Sequence, residues 1–258
     1  MKRIVMALVL GSFGVALHAE TLSGLCMVSV SQYKTENADV MFRRGDCGTE
    51  YEHCSVSSDS NIAWSRWTGV SPEALKQEGA SLKGTMRGDA GELTCSGMVH
   101  DGVLAGRYVF VPNQGFAQAM SAMGFDTITL GKQEGMVMLD ISLDWVRQMK
   151  AAGVTEMTTG RLMGLRALHI DPEYVRAMAA AGYPELRANK LTEMKAVGVT
   201  PEKVRDAKAM GFQPTEQELI QMSIFKIDKP FIERMRAKGL SDLTVAKLIK
   251  VKIFKLDD

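Results

Sequence analysis

The sequence predicts an α+β protein in which a small antiparallel β domain, stapled by disulfides, precedes an α-helical repeat array of the solenoid type. Two observations support this fold class. Short apolar runs with alternating polarity and all four cysteines occupy the first half of the chain, whereas a pattern of about 29 residues recurs through the second half. We therefore expect a β-rich domain over residues 20–112 and five two-helix repeats over residues 113–257.

The composition excludes two broad classes of protein. The chain has 31 Lys and Arg against 30 Asp and Glu, so it lacks the excess of positive charge that is typical of nucleic-acid-binding proteins. With 46% hydrophobic residues the chain can bury a core, which excludes wholesale disorder. No nucleic-acid partner is expected.

The N-terminal segment, residues 1–19, has the pattern of a secretory signal. Lys2 and Arg3 precede an apolar run over residues 4–17, and Ala19 provides a small residue for cleavage. The run is shorter than the roughly 20 residues that a membrane-spanning helix needs, and no later run reaches that length. We expect a mature chain from Glu20 onward that has no transmembrane segment and is periplasmic or secreted in a bacterium.

The four cysteines indicate disulfide bonds, because an even number of cysteines in an exported protein favours pairing. Three pairings are open, and we favour Cys47 with Cys54, closing a short loop, and Cys26 with Cys95, joining two strands. The alternative is a metal site built from cysteine and histidine side chains, although their spacing matches no paired C-x-x-C motif. Its ligands would be Cys47, His53, Cys54, Cys95 and His100.

Short runs between Ser-, Thr- and Gly-rich breaks predict the strands of the first domain. Asp101-Gly102 lies between two of these runs and is a strong signal for a two-residue hairpin turn. Residues 71–79 predict one or two helical turns capped by Ser71. The predicted strands are Leu25–Tyr33, Val40–Arg43, Ile62–Trp67, Ser81–Met86, Glu92–His100 and Val103–Val111.

The repeat in the second half predicts two short helices in each unit. The first helix follows a cap and a proline at Asp171-Pro172 and Thr200-Pro201, which suit a helix N-terminus. A glycine recurs where that helix should stop in a left-handed conformation. The positions that recur at intervals of 29, 29 and 28 are the branched residues Val146, Val175, Val204 and Ile232 and the glycines Gly153, Gly182, Gly211 and Gly239.

Two segments carry a resemblance to a known kind of repeat. GVTPEKVRDAKAMGF (198–212) and IDPEYVRAMAAAGY (170–183) resemble helical repeats of the same length in bacterial exported proteins. They are similar to repeats in the extracytoplasmic tails of some membrane peptidases of the beta-lactam-sensor type. The resemblance covers residues 113–257 only. It implies a sensing or protein-interaction segment and no catalytic residues.

Three arginines are the candidate interaction surface. Arg147, Arg176 and Arg205 occupy the same position in successive repeats, whereas Gln118 and Glu233 replace them in the first and last copies. Arginines aligned in this way suit acidic side chains or an anionic polymer. The alternative is that each arginine pairs with an acidic residue of the array itself.

The function expected from these features is that of a non-enzymatic protein whose repeats bind a protein partner in the cell envelope. Neither catalytic residues nor a resident cofactor or metal is expected. Two alternatives stay open. One is a carrier of a small ligand or of copper, the copper held by thioethers at Met120-x-x-Met123 or Met136-x-Met138. The other is an envelope enzyme with its site in the β domain, for which Cys95 and His100 are a nucleophile and base.

Overall fold

A computed structural model describes residues 20–45 and 55–256. These residues form an antiparallel sheet followed by ten helices, which confirms the α+β fold class and the order of its two parts. The predicted signal segment, residues 1–19, lies outside the described residues. The strands are β1 Leu22–Val30, β2 Asn37–Arg44, β3 Ser55–Ala63, β4 Trp67–Thr68, β5 Ser81–Gly88, β6 Gly91–His100 and β7 Val103–Pro112.

The described strands form one seven-stranded sheet in the order β3-β2-β1-β7-β6-β5-β4. The predicted hairpin between β6 and β7 is confirmed: Asp101 and Gly102 have φ of 49° and 75°, as a tight two-residue turn requires. The predicted helical turn is a short 3-10 helix, Ala74–Lys76, and the Ser71 hydroxyl accepts the Ala74 amide at 3.2 Å.

Two strand predictions need correction. β1 ends at Val30, and Tyr33 lies beyond it with an exposed side chain. The strand predicted at 62–67 is instead β3, which ends at Ala63, followed by a 3-10 turn and the two-residue β4. The error arose because β3 reads SVSSDSNIA, a polar segment whose pairing with β2 stabilises a strand that its side chains do not signal.

The sheet folds sharply about β7. Cys26 of β1 and Cys95 of β6 form a disulfide with a Cα–Cα distance of 6.0 Å, although β7 lies between these strands. Strands two apart in a flat sheet are separated by about 9.5 Å, so the sheet must curl here. Gly106 of β7, which faces both Cys26 and Gly97, permits the curl, because a Cβ there would lie 2.1 Å from the Ser96 carbonyl oxygen.

All ten helices in the described part of the chain have nine residues. The first helices are α1 Gln114–Ala122, α3 Leu143–Ala151, α5 Pro172–Ala180, α7 Pro201–Ala209 and α9 Lys229–Ala237. The second helices are α2 Leu130–Met138, α4 Thr159–Ala167, α6 Ala188–Ala196, α8 Glu216–Ile224 and α10 Val245–Ile253. The starts of both series recur with the period seen in the sequence, except that the fourth unit is one position shorter than the others.

Helix ends follow the predicted chemistry. Asp171 accepts the Tyr174 amide at 2.7 Å and Thr200 accepts the Lys203 amide at 3.3 Å, and both helices have Pro at the start. The recurring glycines after the first helices all have positive φ, as the sequence predicts. Second helices end differently, since most of them place a polar residue such as His169 (φ 51°) in the left-handed position.

Buried side chains join the sheet to the helices. One hydrophobic cluster runs from Cys26 in β1 to Ile220 in α8, and a second cluster runs from Ala207 to Leu248. Helix α2 contacts β3, β5, β6 and β7, so it packs across the curled sheet. The side chain of Leu256, three residues after the end of α10, is 66% exposed. None of the helices in the described residues has the length and apolar character that crossing a bilayer requires.

Candidate functional site

The three predicted arginines lie on the surface of the helical part. Arg147, Arg176 and Arg205 are each the fifth residue of their helices, α3, α5 and α7, and all three side chains are exposed. Helix α3 contacts α5, and α5 contacts α7. Because equivalent positions on successively packed helices fall on one side, these arginines form one surface, which we call the arginine face.

Most of the positive charge on the arginine face is unpaired. Among the described residues, Arg147 and Arg176 have no hydrogen-bond or ion-pair partner. Asp144, three residues before Arg147, instead accepts a hydrogen bond from the side-chain Nε2 of Gln148 at 2.6 Å. The predicted alternative, in which the arginines pair within the array, therefore does not hold for these two residues.

Arg205 differs, because its Nη2 donates to Glu202 Oε1 at 2.7 Å within the same helix. The pKa of Glu202 is lowered, mainly because its own backbone amide and the Thr200 hydroxyl donate to the carboxylate. Both partners are exposed, so solvent screens their attraction and the pair adds little to stability. Arg205 can therefore exchange Glu202 for another acidic group at little cost.

A second set of basic residues, which the sequence analysis missed, holds successive repeats together. Lys150, Lys208 and Arg236 each donate to a backbone carbonyl at the end of the preceding first helix, where the helix dipole is negative. The acceptors are Met123, Ala181 and Met210, at 2.5, 2.6 and 2.7 Å.

The same three cations lie over aromatic rings of the preceding repeat, at 5.4, 4.8 and 6.0 Å from the centroids of Phe125, Tyr183 and Phe212. The sequence did contain a signal for this pairing. Where Val154 replaces the aromatic residue, Ala179 replaces the cation 25 positions later. These basic residues are therefore structural, and they are distinct from the arginine face.

The predicted disulfide between Cys26 and Cys95 is confirmed, while Cys47, His53 and Cys54 lie outside the described residues. Cys95 is completely buried as well as bridged. Cys95 therefore offers no thiolate. The catalytic pair of Cys95 with His100 is wrong, and so is a metal site that has Cys95 among its ligands.

His100 instead forms an exposed cluster with two carboxylates at the hairpin. Its Nδ1 lies 2.6 Å from Glu78 Oε1 and its Nε2 lies 3.5 Å from Asp101 Oδ2. The hydrogen bond with Glu78 raises the pKa of His100 and lowers the pKa of Glu78. One ligand atom from each of the three residues lies within 4.8 Å of the others, a spacing that a divalent cation can bridge, but the groups also satisfy one another.

A buried polar cluster lies where helix α2 covers the sheet. The Glu134 side chain is 1% exposed, and Arg44 Nε lies 3.4 Å from its Oε2. Neither carboxylate oxygen, nor the hydroxyl of the buried Tyr108, has a hydrogen-bond partner among the described residues. Burial raises the pKa of Glu134 despite the opposing charge of Arg44, and burial together with the Glu134 charge raises the pKa of Tyr108.

The methionines named in the copper alternative belong to the core. Met120 and Met136 are completely buried and Met138 is 7% exposed, and all three are members of the larger hydrophobic cluster. Met123 packs against the same cluster. Their thioethers therefore fill space between short helices.

A comparison of the chain with protein-family models, with curated proteins and with solved structures finds no match in any of the three.

Proposed function

We propose that this is an exported, non-enzymatic protein whose ten helices form a solenoid-like repeat array that binds an acidic protein partner in the bacterial cell envelope. The observation that carries the proposal is the arginine face, where Arg147 and Arg176 project guanidinium groups from equivalent positions and have no partner in the part of the chain that the structure describes. Guanidinium groups bind carboxylates through paired hydrogen bonds, so an acidic surface or peptide is the matching partner.

The array itself is supported by the constant helix length and spacing and by contacts between next-but-one helices, α2 with α4, α4 with α6, and α6 with α8. Stacked units of this kind present equivalent residues at regular intervals along one surface, which is how solenoid proteins bind extended partners. Export is supported by the signal-like segment at residues 1–19 and by the disulfide, which is typical of oxidising compartments.

Affinity capture from a bacterial envelope extract tests the proposal, with the chain from residue 20 onward as bait. The decisive variant carries Arg147→Glu, Arg176→Glu and Arg205→Glu. A matched control reverses three exposed charges on the sheet domain, Lys76→Glu, Lys83→Glu and Arg107→Glu, and has the same net charge.

We expect a captured protein, once purified, to bind the unmodified chain and the control with similar affinity. Its affinity for the arginine-face variant should fall by roughly tenfold or more, and binding should weaken with added salt. Equal loss in both variants, or no loss in the arginine-face variant, would place the interaction elsewhere and overturn the proposal.

A further inference from the structure

The fourth repeat, formed by α7 and α8, differs from the others at a core position. The seventh residue of every other first helix is a methionine with 0% exposure: Met120, Met149, Met178 and Met235. In α7 that position is Ala207. The fourth repeat therefore lacks one long side chain that fills the core of its neighbours.

A second difference lies beside the first. In the second, third and fifth repeats an aromatic residue of the first helix meets a cation of the second helix, at 5.4, 4.6 and 4.1 Å from the ring centroid. These pairs are Trp145 with Arg166, Tyr174 with Lys195, and Phe231 with Lys252. The fourth repeat has Lys203 and Ser223 at these two positions, with Lys203 Nζ 3.4 Å from Ser223 Oγ. The fourth repeat therefore lacks the aromatic ring as well as the methionine.

The backbone also changes at this repeat. Helix α7 begins at Pro201 and α8 at Glu216, an interval that is one position shorter than the interval between the two helix starts of every other repeat. The loop between α7 and α8 is therefore one residue shorter. These three changes coincide with the place where the hydrophobic core divides into its two clusters.

The result is a cavity of about 200 Å³ between α7, α8 and the start of α9. Its floor is apolar and includes Ala207, Leu219, Met222 and Ile227, all of them buried. An apolar protein cavity of about 150 Å³ is large enough to bind a benzene ring. The floor of this cavity can therefore take one ring-sized group.

The rim of the cavity carries more positive than negative groups. Lys203, Lys226 and Lys229 line it together with Asp206 and Asp228. Asp228 Oδ1 accepts the Phe231 amide at 3.0 Å to cap α9. Lys203 Nζ donates to the Gly198 carbonyl at 2.7 Å and Lys229 Nζ lies 4.0 Å from Glu233 Oε1, whereas the exposed ammonium group of Lys226 has no partner among the described residues. An anionic group is the complement of this rim.

We infer that the cavity of the fourth repeat binds a small organic acid, with a ring-sized apolar group on the floor and its carboxylate at the lysine rim. The ring of the ligand replaces the aromatic and methionine side chains that the other repeats supply from their own sequence. The inference is independent of the proposed function, since Arg205 lies on α7 but does not line the cavity.

Titration of the chain from residue 20 onward with 3-phenylpropionate tests the inference, followed by NMR of ¹³C-labelled methionine methyl groups. Met210 and Met222 line the cavity, whereas Met120, Met149 and Met178 lie in other repeats and serve as internal controls. We expect saturable shifts of the first two methyl groups only. No saturable shift, or shifts spread evenly over all five, would overturn the inference.

Two variants sharpen the test. Ala207→Met restores the side chain of the other repeats and should abolish the saturable shift, whereas Ala209→Met, the same change at an exposed position of α7, should leave it intact. Unchanged binding by Ala207→Met would overturn the site.

Lys226→Asn removes one positive charge from the rim and keeps a residue that tolerates the left-handed conformation found there (φ 53°). It should weaken 3-phenylpropionate binding roughly two- to fivefold. If 3-phenylpropylamine, the cation of similar size, binds as tightly as the acid, the proposed ligand class is wrong.

Discussion

Removing the disulfide should destabilise the sheet by an amount that its position in the sequence predicts. Cys26 and Cys95 are 69 residues apart, so the bond closes a loop that the unfolded chain would otherwise explore freely. The loop-entropy relation gives about 4.4 kcal/mol for the loss of this closure at 25 °C. Replacing both buried cysteines with alanine also leaves small voids, which lower stability further.

The measurement is urea unfolding of the double variant Cys26→Ala/Cys95→Ala, followed by tryptophan fluorescence, to which Trp64 and Trp67 of the sheet domain and Trp145 of α3 contribute. The free energy of unfolding should fall by about 3 to 5 kcal/mol. The variant Cys47→Ala/Cys54→Ala provides a comparison, since the bridge predicted there would close a short loop and the same relation gives about 2.5 kcal/mol. A loss below about 1 kcal/mol for Cys26→Ala/Cys95→Ala would refute the reasoning from loop length.

Three other predictions follow from burial and backbone conformation. Burial raises the pKa of Glu134, so the Glu134 carboxyl group binds its proton more tightly in the folded protein than in the unfolded chain. The contribution of this group to the free energy of unfolding is therefore complete below its pKa in the unfolded chain, and it is lost as pH rises through its pKa in the folded protein. Glu134→Gln should therefore raise the melting temperature at neutral pH and not at pH near 4; the same gain at both pH values would contradict this. Gly211→Ala should cost about 1 kcal/mol, because the residue has φ of 89° and no neighbour to clash with, while Gly160→Ala, inside α4 and equally unobstructed, should gain about 0.5 to 1 kcal/mol in urea unfolding. Lys208→Met, which removes the bond to the Ala181 carbonyl and the contact with Tyr183, should increase amide exchange at the end of α5, measured by hydrogen–deuterium exchange, with Lys203→Met as the control.

Local chemistry made much of the fold predictable. The caps at Asp171 and Thr200, the turn at Asp101-Gly102 and the left-handed glycines depend on residues close in sequence, and the structure has each of them. The repeat spacing likewise predicted the interval between the starts of equivalent helices.

The features that sequence analysis missed depend on contacts between distant segments. Glu134 lies in a helix whose sequence suggests a solvated charge, but the curled sheet buries it. The cavity of the fourth repeat arises where two changes in α7, at Lys203 and Ala207, face a third change, Ser223, on the packed helix α8. For the candidate site, sequence position alone predicted the exposure of Arg147 and Arg176; their lack of partners depends on where Asp144 and its neighbours point.

The arrangement around β7 has a mechanical consequence. This strand is hydrogen-bonded to β1 on one side and β6 on the other, and it continues almost directly into the first helix of the array. A displacement of β7 along its own axis therefore loads the hydrogen bonds of both edges together, in shear. Because Cys26 and Cys95 tie the flanking strands to each other, those strands cannot separate to release it. Removing β7 from the sheet therefore requires both of its hydrogen-bonded edges to break while the flanking strands stay tied together.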